Sequence, residues 1–117
     1  TLTELLELGP CYPREFAARL QDRYGVCAVC ITRGANGCLM IEGDQIADEP
    51  GIAVKVADTV GAGDAFTAAW VFARLRGRTL AQQARFANRV GALIASRPGG
   101  MPVVKDELRE LTAEFFA

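Results

Sequence analysis

Histidine is absent from the 117 residues. Long apolar runs are absent too: the longest are short and broken by Arg or Gly. That excludes a membrane-spanning helix, which needs about 20 consecutive apolar residues. Charge of one sign is also missing. Thirteen Lys and Arg stand against fourteen Asp and Glu, a net charge of −1. A nucleic-acid binder normally carries a basic face, so that class of partner is not expected. There is no secretory leader pattern at the start, no low-complexity tract and no internal repeat. What is plentiful is apolar side chain. Half of the residues are AVILMFWYC, enough core for one compact domain.

Four cysteines are present, Cys11, Cys27, Cys30 and Cys38. Cys27 and Cys30 form a C-x-x-C, the spacing of a redox or zinc motif. They lie within the apolar run from Val26 to Ile31, which reads as a buried strand. Residues three apart on a strand point to opposite faces, and no histidine is available to complete a metal set. The reading is buried, reduced thiols acting as small hydrophobes, which suits a cytoplasmic protein.

Taken in order, Leu2 to Leu8 reads as a short helix stopped by Gly9-Pro10. Pro13 can open a second helix that buries Phe16, Ala17 and Leu20 and breaks at Gly25. Val26 to Thr32 is a strand whose unbroken apolar run suits a parallel sheet covered on both faces. Cys38–Ile41 and Gln45–Ala47 read as a hairpin turning at Gly43-Asp44. Glu49-Pro50-Gly51 is a turn, and the alternating Ile52–Val56 is a further strand. Ala65 to about Arg76 is a helix with Gly77 just past its end. Thr79 to Gln82 fits a capping box, opening a helix that buries Leu80, Ala84, Ala87, Gly91 and Ile94. Arg97-Pro98-Gly99-Gly100 ends it. A last helix runs from Lys105 to Phe116, with Leu108, Leu111, Phe115 and Phe116 on its apolar side. Trp70 is read as core, and Arg74, Arg76 and Arg78 as a solvated helix end. Helix followed by buried strand is the pattern of the α/β class.

The stretch Asp58-Thr59-Val60-Gly61-Ala62-Gly63-Asp64 organises the rest. It is a turn with two glycines between the Ile52–Val56 run and a helix. Glycine lets another group approach the backbone, and a helix start offers unpaired N–H groups and positive potential. Together they make a phosphate site. A carboxylate there would repel phosphate, unless Asp64 takes the proton from the group that attacks it. The bland alternative is that Asp64 merely stabilises a helix N-terminus. Two other glycine motifs are excluded. No Lys follows a glycine pair as a P-loop requires, and Phe66 occupies the last glycine position of a dinucleotide fingerprint.

DTVGAGDAF, residues 58–66, closely resembles the signature of the ribokinase-like (PfkB-type) carbohydrate kinases. The resemblance implies a three-layer α/β/α fold with a mostly parallel sheet and a small β-hairpin. It implies phosphorylation of a sugar hydroxymethyl group by ATP with Mg²⁺. Asp64 would be the general base, and the backbone N–H groups of Gly61, Ala62 and Gly63 the anion hole. Thr32, Gly34 and Gly37 match a T-x-G-x-x-G segment that lines the nucleotide, with Gly63, and Asn88 falls near the adenine. Asp58, Val60, Ile94, Arg97 and Gly99, with Val103, match a monovalent-cation site built largely of backbone oxygens, for which K⁺ is the candidate ion. A homodimer of the full-length enzyme is a further expectation.

The family's sugar-gripping N-terminal segments and lid have no counterpart here, and the first residue is Thr1 rather than Met. Residues 1–117 are therefore expected to be the C-terminal nucleotide-binding part of such a kinase. The alternative is a non-catalytic nucleotide-binding or structural α/β module lacking the substrate half.

Overall fold

A computed structural model gives the structure and describes residues 13–57, 60–97 and 105–116. Helix α1 (Pro13–Tyr24) opens on proline, whose missing N–H costs nothing in a first turn. It ends at Gly25, which takes φ 66° and donates its N–H to Gln21 O at 2.9 Å. Strands β1 (Val29–Thr32), β2 (Gly37–Glu42) and β3 (Gln45–Pro50) follow as an antiparallel sheet in the order β1-β2-β3. Helices α2 (Ala62–Leu75), α3 (Leu80–Ala95) and α4 (Lys105–Phe116) come after it. The expected helix over Leu2–Leu8, and Cys11, Asp58, Thr59, Gly99 and Val103, lie outside the described residues. Among the described residues no helix is long and apolar enough to cross a membrane.

Register decides which side chains share a core. Cys30 stands opposite Met40, Thr32 opposite Cys38, and Met40 opposite Ala47. Side chains alternate along a strand, so Cys30, Cys38, Met40 and Ala47 face one way. They pack against Phe66, Ala69 and Ala73 of α2 and Leu80, Ala84 and Ala87 of α3. Val29, Ile31, Leu39 and Ile41 face the other way, onto Ala17 and Leu20 of α1. Helices thus cover both sheet faces, in three layers. Helix α4 lies against α3 and the end of α2. There Phe116 meets Phe86 and Phe72 edge-on, at centroid distances of 5.0 and 5.1 Å, and Phe115 meets Phe86 at 5.4 Å. This aromatic cluster explains why α3 also buries Phe86 and Val90, outside its expected face.

Both ends of the α2–α3 turn are built by local chemistry. Gly77 takes φ 72°, its N–H bonds Arg74 O, and Arg78 N–H bonds Ala73 O. These are the two bonds of a Schellman stop. Thr79 then forms the expected capping box. Its hydroxyl accepts from Gln82 N–H at 3.2 Å, and Gln82 Oε1 accepts from Thr79 N–H at 3.0 Å. Trp70 is half-buried rather than fully core, with its indole N–H on Gln83 Oε1.

Several expectations are corrected. The first strand spans only Val29–Thr32 and pairs antiparallel with β2, while Val26 and Cys27 are exposed. An apolar run covered on both faces reads alike in parallel and antiparallel sheets, which is why the run misled. Cys38 meets the expectation of a buried thiol, while Cys30 is half-buried against the same core. The hydrogen bond to Cys38, and then burial, push the Cys30 thiol far above the ordinary range, so it stays protonated. Ile52–Val56 forms no strand, because no described strand lies beside it. Ile52, Val54 and Val56 stay 36–54% exposed. Helix α2 begins at Ala62, three residues early.

Arg74, Arg76 and Arg78 are not simply solvated. Arg76 and Arg78 lie over the rings of Phe72 and Phe116, and Arg74 forms a two-bond pair with Glu42 at 2.9 and 3.0 Å. The Arg74 hydrogen bonds hold the Glu42 carboxyl below its ordinary value of 4.5. A lowered folded-state value adds stability above the ordinary value, and that stability is lost as pH falls through the folded-state value. The melting temperature of the wild type should therefore fall more steeply below about pH 4.5 than that of Glu42→Gln. Parallel melting curves from pH 6 to pH 3 would refute the contribution.

Candidate functional site

The residues between β3 and α2 end at Gly61, which takes φ 82° and caps the helix. A side chain there would be strained, so glycine is what permits the sharp entry. The first helical bond runs from Ala65 N–H to Gly61 O at 3.0 Å. The N–H groups of Gly61, Ala62, Gly63 and Asp64 therefore have no acceptor within the helix. They sit at the positive end of its dipole, where an anion is stabilised. Asp64 is the third residue of the helix and is exposed.

A cleft of about 560 Å³ opens at this helix start. It is lined by Thr32, Gly34 and Gly37 from the β1–β2 connection, Ala62 and Gly63 from α2, and Asn88 from α3. All the residues expected to line a nucleotide thus meet in one cavity, although they span positions 32 to 88. The remaining lining is mostly small or aliphatic, including Ala35, Val54 and Ala92.

The cleft is shaped by backbone laid against backbone. Gly34–Asn36 forms a single 3₁₀ turn, with Asn36 N–H on Arg33 O at 3.0 Å, and Arg33 N–H bonds Gly37 O across it at 2.8 Å. A Cβ on Gly37 would lie 2.0 Å from Glu49 O, and one on Gly51 would lie 1.8 Å from Ala35 O. No side chain fits either place. Pro50, opposite Gly37 in the ladder, accepts a hydrogen bond from Asn88 Nδ2 at 2.8 Å. Asn88 thereby ties α3 to the strand end beside the cleft. The Arg33 guanidinium turns away onto Cys38 O, Glu49 O and Asp48. It is engaged by the sheet.

Residues expected at a cation site are brought near one another only in part. Ala57 N–H bonds Ala95 O at 2.9 Å, joining the approach to Asp58 and Val60 to the end of α3, which carries Ile94. Arg97 N–H bonds Ile94 O at 3.2 Å, and the Arg97 side chain pairs with Glu107 at 3.1 Å. Asp58 and Gly99 are outside the described residues. Among the described residues no three His, Cys, Asp or Glu side chains gather as a metal site.

Gly51 and Ala35 were missed by sequence reasoning. Pro50-Gly51 reads as an ordinary turn, and only the folded chain brings Ala35 against it. Gly91 was assigned to a buried helix face, but it also lines the cleft. Its Cα faces the first turn of α2, where an added Cβ would stand 3.6 Å from Ala62 O.

Known proteins match in the same region. The profile of the pfkB family carbohydrate kinases matches residues 11–107. The 1-phosphofructokinase of Haloferax volcanii is 40% identical over 87 residues, covering 74% of this chain and 27% of that protein. Among solved structures, phosphofructokinase-2 from Escherichia coli in complex with potassium superposes with a TM-score of 0.79 at 21% identity. It covers 99% of this chain and 38% of that one. An E. coli protein provisionally named ribokinase II, in complex with ATP and Mg²⁺, gives 0.77 at 26% identity, covering 91% of this chain and 35% of that one. The fold is therefore ribokinase-like, and the chain spans about a quarter to two fifths of the length of these proteins. Because the matched region takes in β1 to β3, α2 and α3, every element that shapes the cleft falls inside it, and the chain belongs to the pfkB family of carbohydrate kinases.

Proposed function

We propose that this chain is the nucleotide-binding part of a kinase that transfers phosphoryl from ATP to a sugar hydroxymethyl group. The observation that carries the reading is the convergence of Thr32, Gly34, Gly37, Gly63 and Asn88 on one cleft at the N-terminus of α2. In this reading the nucleotide lies in the cleft with its phosphates toward the free N–H groups of residues 61–63. Those groups stabilise the charge that grows on the transferring phosphoryl. Asp64 takes the proton from the sugar hydroxyl, the oxygen bonds to the γ-phosphorus, and the bond to the bridging oxygen breaks to release ADP. The exposure of Asp64 suits a base that must reach a second substrate.

Mg²⁺ would neutralise phosphate charge, and with no acidic cluster described it would arrive on the triphosphate. Backbone oxygens of Asp58, Val60, Ile94, Arg97 and Gly99 would hold K⁺. The Ala57–Ala95 bond supports that placement, since it brings the two halves of the set together.

The 117-residue chain should bind MgATP without turning it over, since the sugar-binding segments of the family are not among its residues. Calorimetric titration with MgATP, in potassium and in sodium salts, checks this. Saturable heat at one site is expected, larger in affinity with potassium. No saturable binding would overturn the nucleotide assignment, and equal affinity in both salts would overturn the cation site.

A further inference from the structure

We infer that the outer face of α2 is a docking surface, and that its occupant is the sugar-binding part of the same kinase, carried on a chain longer than these 117 residues. The inference rests on the kinase reading above and names what closes the site on the Asp64 side. Helix α2 turns Phe66, Ala69 and Ala73 into the core. Between Asp64 and the end of the helix its exposed positions are Thr67, Ala68, Val71, Phe72 and Leu75, and none is charged. Leu75 is 82% exposed. The one charged side chain along that length, Arg74, is turned onto Glu42.

At the helical period, Asp64, Thr67, Ala68, Val71 and Leu75 fall within about 100° of arc, a stripe roughly 16 Å long with the carboxylate at its head. The other described helices show charge to solvent, as at Arg19, Arg85 and Arg109. A helix apolar on all sides belongs in an interior. Helix α2 has solvent where that interior would continue. The core is unfinished at β1 as well. Cys38 and Met40 of β2 are fully buried, but Cys30 of β1, packed against the same cluster, is only half-buried, and β1 pairs with β2 alone.

The position of Asp64 says what covers the stripe. In the proposed reaction the sugar hydroxyl comes to this carboxylate, so the part that holds the sugar stands on this face of α2. The apolar stripe gives that part a seat that begins at the base itself. The related kinases have chain enough to supply it: the matched region is 27% of the Haloferax protein and 38% of E. coli phosphofructokinase-2. A second copy of this chain would bury the same stripe but bring no sugar to Asp64.

The test is hydroxyl-radical footprinting, read by mass spectrometry, of the 117-residue chain and of the longest natural chain that carries these residues. Val71 and Leu75 should be labelled freely in the first and lose that labelling in the second. Equal labelling in both overturns the inference. So does a natural chain that consists of these 117 residues alone, or a dimer of the 117-residue chain, seen by sedimentation, that Leu75→Asp dissociates. Leu75→Asp gives a second readout. It should leave the melting temperature of the 117-residue chain within about 3 °C of wild type and lower that of the longer chain by about 10 °C or more, because there the carboxylate is buried unpaired. Equal shifts in the two chains overturn the inference. A longer chain that phosphorylates a sugar with the stripe freely labelled overturns it too, and leaves the kinase reading standing. A stripe protected in a longer chain that phosphorylates no sugar overturns the kinase reading, and with it the sugar as what the docked part carries.

Discussion

Asp64→Asn is expected to lower phosphoryl transfer by about 10²–10⁴-fold, the usual contribution of a positioned general base. The amide has the shape of the carboxylate but cannot take the proton from the attacking hydroxyl. The fold should be almost unaffected. Asp64 is exposed on the first turn of α2, and the capping position belongs to Gly61, with no side-chain cap bond there. Its structural value is therefore limited to the helix-dipole interaction, about 0.3–1 kcal/mol. The variant is to be made in the longest natural chain that carries these residues and assayed with ATP against a panel of sugars. Melting curves are recorded alongside. Undiminished turnover removes Asp64 as the base. A large melting shift with proportionate loss of activity would instead favour the purely structural reading.

Gly51→Ala should be, with Gly37→Ala, among the most disruptive small substitutions in the described chain. Its Cβ would stand 1.8 Å from the carbonyl oxygen of Ala35 and 2.8 Å from that residue's carbonyl carbon. Both are backbone atoms, so no side chain can swing aside. Relief requires the 3₁₀ turn and the end of β3 to separate, which would open the cleft. Overpacking of this kind costs about 1–3 kcal/mol or more. In a domain of this size that corresponds to a fall of roughly 5–20 °C in melting temperature. Gly34→Ala is the control. Gly34 takes φ 57° but has nothing within 4 Å of an added Cβ, so it should cost only the left-handed penalty, about 1–2 kcal/mol. Thermal unfolding by circular dichroism ranks the two. Gly51→Ala melting at or above Gly34→Ala would contradict the close approach.

Local chemistry made much of this fold legible. Pro13, Gly25, Gly77 and the Thr79–Gln82 box mark helix ends through bonds within a few residues of chain, so their meaning survives without the rest of the molecule. The two-residue turn at Gly43-Asp44 and the helix over Lys105–Phe116 were readable for the same reason. Gly61 and Gly63 marked a turn into a helix start, and such a start needs no partner to expose its N–H groups.

What stayed hidden depends on residues far apart in the chain. Val26–Thr32 is apolar throughout, and such a run carries no record of the direction in which its neighbour runs. Ile52–Val56 alternates as a strand does, but alternation sets which side chains share a face and cannot supply a partner strand. Arg74 looked solvated until Glu42 arrived beside it from β2. The spacing of Asn88 gave no sign that one of its amide N–H groups bonds Pro50 O, thirty-eight residues earlier. By itself, then, the sequence determined the helix ends, the hairpin turn and the glycine turn into α2, all of which rest on backbone conformation and hydrogen bonds between near neighbours. Tertiary structure alone decided the sheet direction, the backbone contact of Gly51 with Ala35 and the bond from Asn88 to Pro50, because each depends on which distant group arrives alongside.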